Sequence, residues 1–331
     1  MTRARYIAIG VTLLVAIVAS GLFYYYFYSP QPEMPQLSGA ATRAVIHVGN
    51  LDRTYLAYVP AKLARPPPLV LVLHGSFMNG EMMRKGTGYE FDVLADRHGF
   101  AVVYPDGYES NWNDCRRTAA YPAKRLNIDD MSFLRAIIQH FRMMNGGAGS
   151  PVFAVGYSDG GEMAHRLAIE AAPEIEAIAT TEANLPAEND SLCQAGGQPS
   201  RAAIISGTDD PIMPYGGGEI TLFGLTPGRG EMRSAPQTAE YYLAAHHLED
   251  APETLRLPHK ESWDKTSVEQ LVWSRDGSPA VEFYTIKGGG HVIPQPAYRW
   301  PRFLGRQTED LNAPAAIWAF FAAEKGGVSG K

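Results

Sequence analysis

A chain of 331 residues has room for one large domain or two ordinary ones. Its composition, 45% hydrophobic and 19% charged with 33 Gly and 24 Pro, excludes a disordered chain and fits a folded α/β or β-rich protein. A formal net charge of -6 without a basic block argues against nucleic acid as a partner, since such surfaces are dominated by Lys and Arg contacts to phosphate.

Arg3 and Arg5 precede an unbroken apolar and aromatic run from Tyr6 to Tyr28, close to the roughly 20 residues a helix needs to cross a bilayer. Basic residues before the run and none soon after it orient the start towards the cytoplasm and the rest outside. Residues 1–28 therefore read as a membrane anchor whose aromatic end suits the interface. A cleaved signal peptide, with small residues between Ala16 and Gly21, is the alternative. Either way the body is exported: periplasmic and tethered in a Gram-negative cell, or secreted after cleavage. Residues 29–42 contain Pro, Gln and Ser with no hydrophobic period and read as a linker, so the domain is expected over 43–331.

Short strand-like runs follow at Ala44–Val48 and Thr54–Val59, and Leu69–Leu73 is a continuous apolar strand of the kind buried on both faces. A helical stretch reaches about His98, and Ala101–Tyr104 is a strand stopped by Pro105-Asp106-Gly107. A long polar loop with Trp112 precedes a helix capped by Asn127 or Asp129 and ended by Gly146 and Gly147. Then come strand Val152–Gly156, a helix from Ser158 to about Ala171, and strands Ile175–Thr180 and Ala202–Ile205. A helix near 235–247, strands Ser267–Trp273 and Ala280–Ile286, and a helix Leu311–Glu324 complete the chain. Strands alternating with helices predict one largely parallel sheet covered on both faces.

Gly156-Tyr157-Ser158-Asp159-Gly160-Gly161 stands where a strand ends and a helix begins, the place of a nucleophile elbow. Ser158 is the candidate nucleophile. The N–H of Asp159, at the helix N-terminus, is one candidate oxyanion donor, and the N–H of Ser76 in the loop after Leu69–Leu73 is the other. His74 in that loop reads as a core histidine satisfied by backbone. Among nine histidines, His291 alone follows a late strand and a flexible Gly288-Gly289-Gly290 run, so it is the candidate base. Asp209 and Asp210, beyond strand Ala202–Ile205, offer the carboxylate that orients it. The chain order Ser, Asp, His is that of α/β-hydrolases. Cys115 and Cys193 are the only cysteines, and export makes them a candidate disulfide, with two buried thiols as the alternative. No metal or other cofactor is expected, since no Cys-x-x-Cys or His-Glu-x-x-His string occurs.

Leu71-Val72-Leu73-His74-Gly75, Tyr104-Pro105-Asp106-Gly107, Trp112-Asn113, Gly156 to Gly161, Gly207-Thr208-Asp209-Asp210-Pro211 with Pro214-Tyr215, and Gly288 to His291 resemble the secreted feruloyl esterase and polyhydroxybutyrate depolymerase group of α/β-hydrolases. The resemblance runs from about residue 44 to 295. It implies an α/β-hydrolase fold, an ester substrate, the triad Ser158, Asp210 and His291, and an oxyanion hole from Ser76 and Asp159. Pro211 supports Asp210 over Asp209, because a following proline biases that residue towards extended geometry. Val292-Ile293-Pro294 departs from the Thr-Trp-Pro common in the group, so an aromatic substrate contact is expected to be missing. Trp112, Tyr215 and the Gly216-Gly217-Gly218 loop are candidates to border the substrate pocket. The expected activity is acyl transfer to water from feruloyl-type or hydroxyalkanoate-type esters. A serine peptidase on the same fold and a non-catalytic, membrane-tethered binding protein are the alternatives. The sequence does not speak to oligomeric state.

Overall fold

Leu69–Leu73 and Val152–Tyr157 are buried at every position, which only the interior of a sheet covered on both faces permits. The fold comes from a computed structural model, and it describes residues 3–145, 149–195, 197–223 and 228–323. Its strands are β1 (Ala41–Val48), β2 (Leu51–Tyr58), β3 (Leu69–Leu73), β4 (Ala101–Pro105), β5 (Val152–Tyr157), β6 (Ala177–Thr181), β7 (Arg201–Gly207), β8 (Gly218–Glu219), β9 (Glu231–Met232), β10 (Glu253–Arg256), β11 (Ser267–Arg275) and β12 (Ser278–Lys287). The helices are α1 (Arg3–Phe27), α2 (Gly80–Gly86), α3 (Glu90–His98), α4 (Pro122–Arg125), α5 (Asp130–Asn145), α6 (Asp159–Glu170), α7 (Ala235–His246) and α8 (Ala313–Ala322).

Ten strands form one sheet in the order β1-β2-β4-β3-β5-β6-β7-β12-β11-β10, parallel from β4 through β12 and antiparallel at both ends. Helices α5, α6 and α7 cover one face with Leu134, Leu167 and Tyr242, and α2, α3 and α8 cover the other with Met83, Phe91 and Phe320. This is the α/β-hydrolase architecture expected from the alternation of strands and helices. The strand order reverses beside β3 and β5, so the loops leaving their C-terminal ends diverge and open a crevice, the usual ligand position of an open α/β sheet.

Several expectations change in detail. The stretch to His98 is two helices, because Gly88 and Tyr89 take left-handed φ values of 62° and 60° between them. The β8–β9 hairpin and β10 carry too short an apolar signal to be read. The domain also begins before residue 43: β1 starts at Ala41, and Ser38 donates to Asp96 through both its N–H (2.8 Å) and its hydroxyl (2.7 Å). Asp129 caps α5 by accepting the Ser132 N–H at 2.9 Å, while Gly146, Gly147 and Glu324 lie outside the described residues. Helix α1 is apolar, with Leu13, Ile17 and Phe23 exposed, and it meets the domain where Phe27 stacks on Phe303 at 4.8 Å.

Candidate active site

The turn from β5 into α6 is as tight as its glycines allow. A Cβ on Gly156 would stand 2.1 Å from the Gly160 carbonyl oxygen, and one on Gly160 would stand 2.4 Å from that of Leu73. Ser158 sits at φ 52°, ψ -125°, a conformation that costs a non-glycine residue about 1–3 kcal/mol and that the surrounding strands must hold. Its N–H is committed to the Thr181 carbonyl at 3.0 Å. The hydroxyl is free to point at a base.

That base is within reach. Ser158 Oγ and His291 Nε2 are 2.9 Å apart, and His291 Nδ1 and Asp210 Oδ2 are 2.6 Å apart. A carboxylate only accepts, so the imidazole proton belongs on Nδ1 and Nε2 is left to accept from Ser158. Asp210 Oδ1 takes the N–H groups of Ile212 (2.7 Å) and Met213 (2.8 Å), so capping the turn at Pro211 and holding the imidazole fall to the same side chain. The structure brings Ser158, Asp210 and His291 together.

The loop after β3 passes close to the elbow, where a Cβ on Gly75 would lie 3.2 Å from that of Ser158. His74, fully buried, holds this loop: it contacts the Gly75 carbonyl through Nδ1 (2.8 Å), Nε2 accepts the Gly107 N–H (2.8 Å), and its own carbonyl accepts Trp112 Nε1–H (2.8 Å). Burial lowers its pKa to about 4, so the ring is neutral with its proton on Nδ1. The Gly75 carbonyl and the Ser76 N–H belong to one trans peptide and point opposite ways. Ser76 and Asp159 line the same cavity as Ser158 and His291.

The chain is similar to known esterases. A family model described as esterase PHB depolymerase matches residues 53–195. A putative esterase NocK of Nocardia uniformis subsp. tsuyamanensis is 25% identical over 297 residues, covering 86% of this chain and 83% of that protein. A probable feruloyl esterase C of Aspergillus oryzae is 29% identical over 180 residues, covering 52% of this chain and 59% of that protein. These similarities support a feruloyl esterase/PHB depolymerase-like family for the chain. It is a carboxylic ester hydrolase. An acetyl xylan esterase from Aspergillus awamori shares the fold, with a TM-score of 0.53 and 16% identity over 76% of this chain and 95% of its own.

The esterase's cavity holds about 500 Å³ and is walled by Phe77, Met82, Met213, Tyr298, Trp300 and Phe303. The expected loss of an aromatic contact is thus corrected: Val292 and Ile293 are buried in the core, and Trp300 from the following segment faces the site, with Tyr157 4.9 Å behind it. Two substrate-binding candidates are corrected as well. Trp112 is fully buried and braces His74 from 5.0 Å, and Tyr215 bonds Thr285 at 2.9 Å against Phe283. Neither lines the cavity, and Gly216 to Gly218 border a different hollow beside α7.

Cys115 and Cys193 form a disulfide that pins the Trp112 loop to the segment after β6, helped by Leu192 N–H to the Cys115 carbonyl at 2.7 Å. Beneath this loop lies a group no sequence pattern announced. Arg116 pairs with Asp114 (2.6 Å), Asp159 (2.8 Å) and Glu162, all buried, and Asp159 also accepts the Trp112 N–H at 3.0 Å. Burial pushes Asp159 and Glu162 well above the carboxylate range, with Arg116 opposing it. The side chain of Asp159 thus braces the loop, and the residue lines the cavity. Glu182, buried at the end of β6, is the other residue that went unread.

Proposed function

We propose that the esterase works through an acyl-enzyme on Ser158. As Oγ attacks the ester carbonyl, His291 Nε2 takes the hydroxyl proton, and Asp210 holds the imidazole and stabilises the imidazolium. The N–H groups of Ser76 and Asp159 bind the oxyanion, which a rigid, partly dry cleft makes worth far more than in water. His291 returns the proton to the leaving alcohol, and water then releases the acid by the same steps. The observation that carries this reading is the 2.9 Å contact between Ser158 Oγ and His291 Nε2 inside an apolar cavity.

The aromatic and methionine walls suit a flat aromatic acyl group, so feruloyl-type esters are the proposed class, with hydroxyalkanoate esters as the competitor. The body acts outside the cytoplasm, tethered by α1, a reading supported by the apolar helix and the disulfide. The test is hydrolysis of feruloyl, hydroxybutyryl and short aryl esters by wild type and Ser158→Ala, together with fluorophosphonate labelling. Labelling at Ser158 and faster turnover of the feruloyl ester are expected. Hydrolysis that survives in Ser158→Ala would refute the mechanism, and a preference for hydroxybutyryl esters would refute the substrate class.

A further inference from the structure

Glu182 is the first residue after β6 and is 1% exposed. Its φ is 51° and its N–H donates to the Ile205 carbonyl at 2.9 Å, which brings its side chain to the end of β7. There Oε2 accepts the Gly207 N–H at 2.9 Å, the carboxyl lies beside that of Asp210, and Oε1 meets no donor. No Lys, Arg or His among the described residues pairs with Glu182.

Two carboxyl groups in contact inside a protein cannot both ionise, so one of this pair keeps a proton. The surroundings decide which. Asp210 accepts from three donors, His291 Nδ1–H, Ile212 N–H and Met213 N–H, whereas Glu182 accepts from one. The proton therefore belongs to Glu182. Burial, with the charge of Asp210 added, pushes its carboxyl well above the usual carboxylate range.

We propose that Glu182 is a protonated positioning residue behind the catalytic acid, its O–H donating to Asp210 and setting how strongly that carboxylate draws on the Nδ1–H of His291. This rests on the acyl-enzyme reading of Ser158, His291 and Asp210. A neutral donor disperses the charge of Asp210 without cancelling it, so the site carries one negative charge and that carboxylate draws less strongly on the Nδ1–H than a bare one would. The other titratable group facing both acids is Tyr157, which burial keeps protonated, while Asp209 turns outward to Arg306.

The experiment compares kcat/KM against pH for wild type, Glu182→Gln and Glu182→Met on an activated aryl ester. The amide of Glu182→Gln still donates to Asp210 and accepts from Gly207, so its activity should stay within about threefold of wild type. In Glu182→Met, the acid limb should move upward by about half a pH unit or more, with roughly a tenfold loss at the plateau. A downward move would mean that Glu182 is ionised in the wild type, and an unmoved limb would mean that it is uncoupled. Either overturns the proposal. Should Glu182→Met fail to fold, the infrared difference between wild type and Glu182→Gln at pH 7 decides: the stretch of a protonated carboxyl supports the proposal, and carboxylate bands alone overturn it. Fluorophosphonate labelling keeps the two readings apart. An unreactive Ser158 in folded wild type strikes down the acyl-enzyme reading, while a labelled Ser158 with an unmoved limb strikes down the role of Glu182 alone.

Discussion

Asp209 and Asp210 are neighbours with opposite fates: the side chain of Asp210 is wholly buried and meets His291 at 2.6 Å, while that of Asp209 is 60% exposed and lies 3.8 Å from Arg306. Asp210→Asn should fold yet lose roughly three to four orders of magnitude in kcat, because the amide favours the wrong imidazole tautomer. Asp209→Asn should stay within about tenfold of wild type. Steady-state kinetics on both variants checks this, and the reverse pattern would exchange the two roles.

His74 makes stability fall on mild acidification. Burial lowers its folded-state pKa from 6.5 to about 4, so its contribution is complete above pH 6.5 and is lost as pH falls towards 4. That difference is worth on the order of 3 kcal/mol. Urea unfolding at pH 7, 5.5 and 4 should show the loss in wild type and a flatter trend in His74→Gln. Equal pH slopes for the two proteins would contradict it.

The buried proton on Glu182 has the opposite sign. Its pKa rises on folding, so its contribution is complete below about pH 4.5 and declines as pH rises towards the folded value, by about 1.4 kcal/mol per pH unit at most. Glu182→Gln should therefore gain stability relative to wild type between pH 5 and 8. Denaturant titrations of the pair across that window measure it, and a constant difference would mean no proton is taken up.

The disulfide closes a loop of 78 residues, and opening it should cost roughly 3–5 kcal/mol in the chain-entropy view. The loop it pins carries Trp112 and Arg116, which brace His74 and Asp159. Cys115→Ala/Cys193→Ala should thus lower both the melting temperature and kcat, read by thermal scans and by kinetics well below the new midpoint. Unchanged kcat would limit the bond to stability.

Cutting the chain at residue 28 and at residue 42 should give different proteins. A chain starting at Ser29 keeps Gln31 in the cavity wall, Ser38 on Asp96 and all of β1, whereas one starting at Arg43 loses Gln31, Ser38 and the first two residues of β1. The first should match full-length kcat/KM, and the second should be less stable by about 1–3 kcal/mol. Equal melting curves for the two would return residues 29–42 to the status of a linker.

Local chemistry made much of this esterase readable from its residues alone. Short apolar runs bounded by turn residues mark the central strands, helical spacing marks the covering helices, and the glycines around Ser158 announce a turn that side chains would block. The order Ser, Asp, His and the flexible glycines before His291 carried the site. What needed the folded chain were contacts between segments far apart in sequence. Trp112 and Trp300 are both aromatic residues in loops, and only packing put the first under His74 and the second in the cavity wall. Glu182 and Arg116 look like ordinary surface charges in the sequence, because a charge becomes a buried partner only when another segment closes over it. Long-range burial has no local period, so it leaves no mark along the chain.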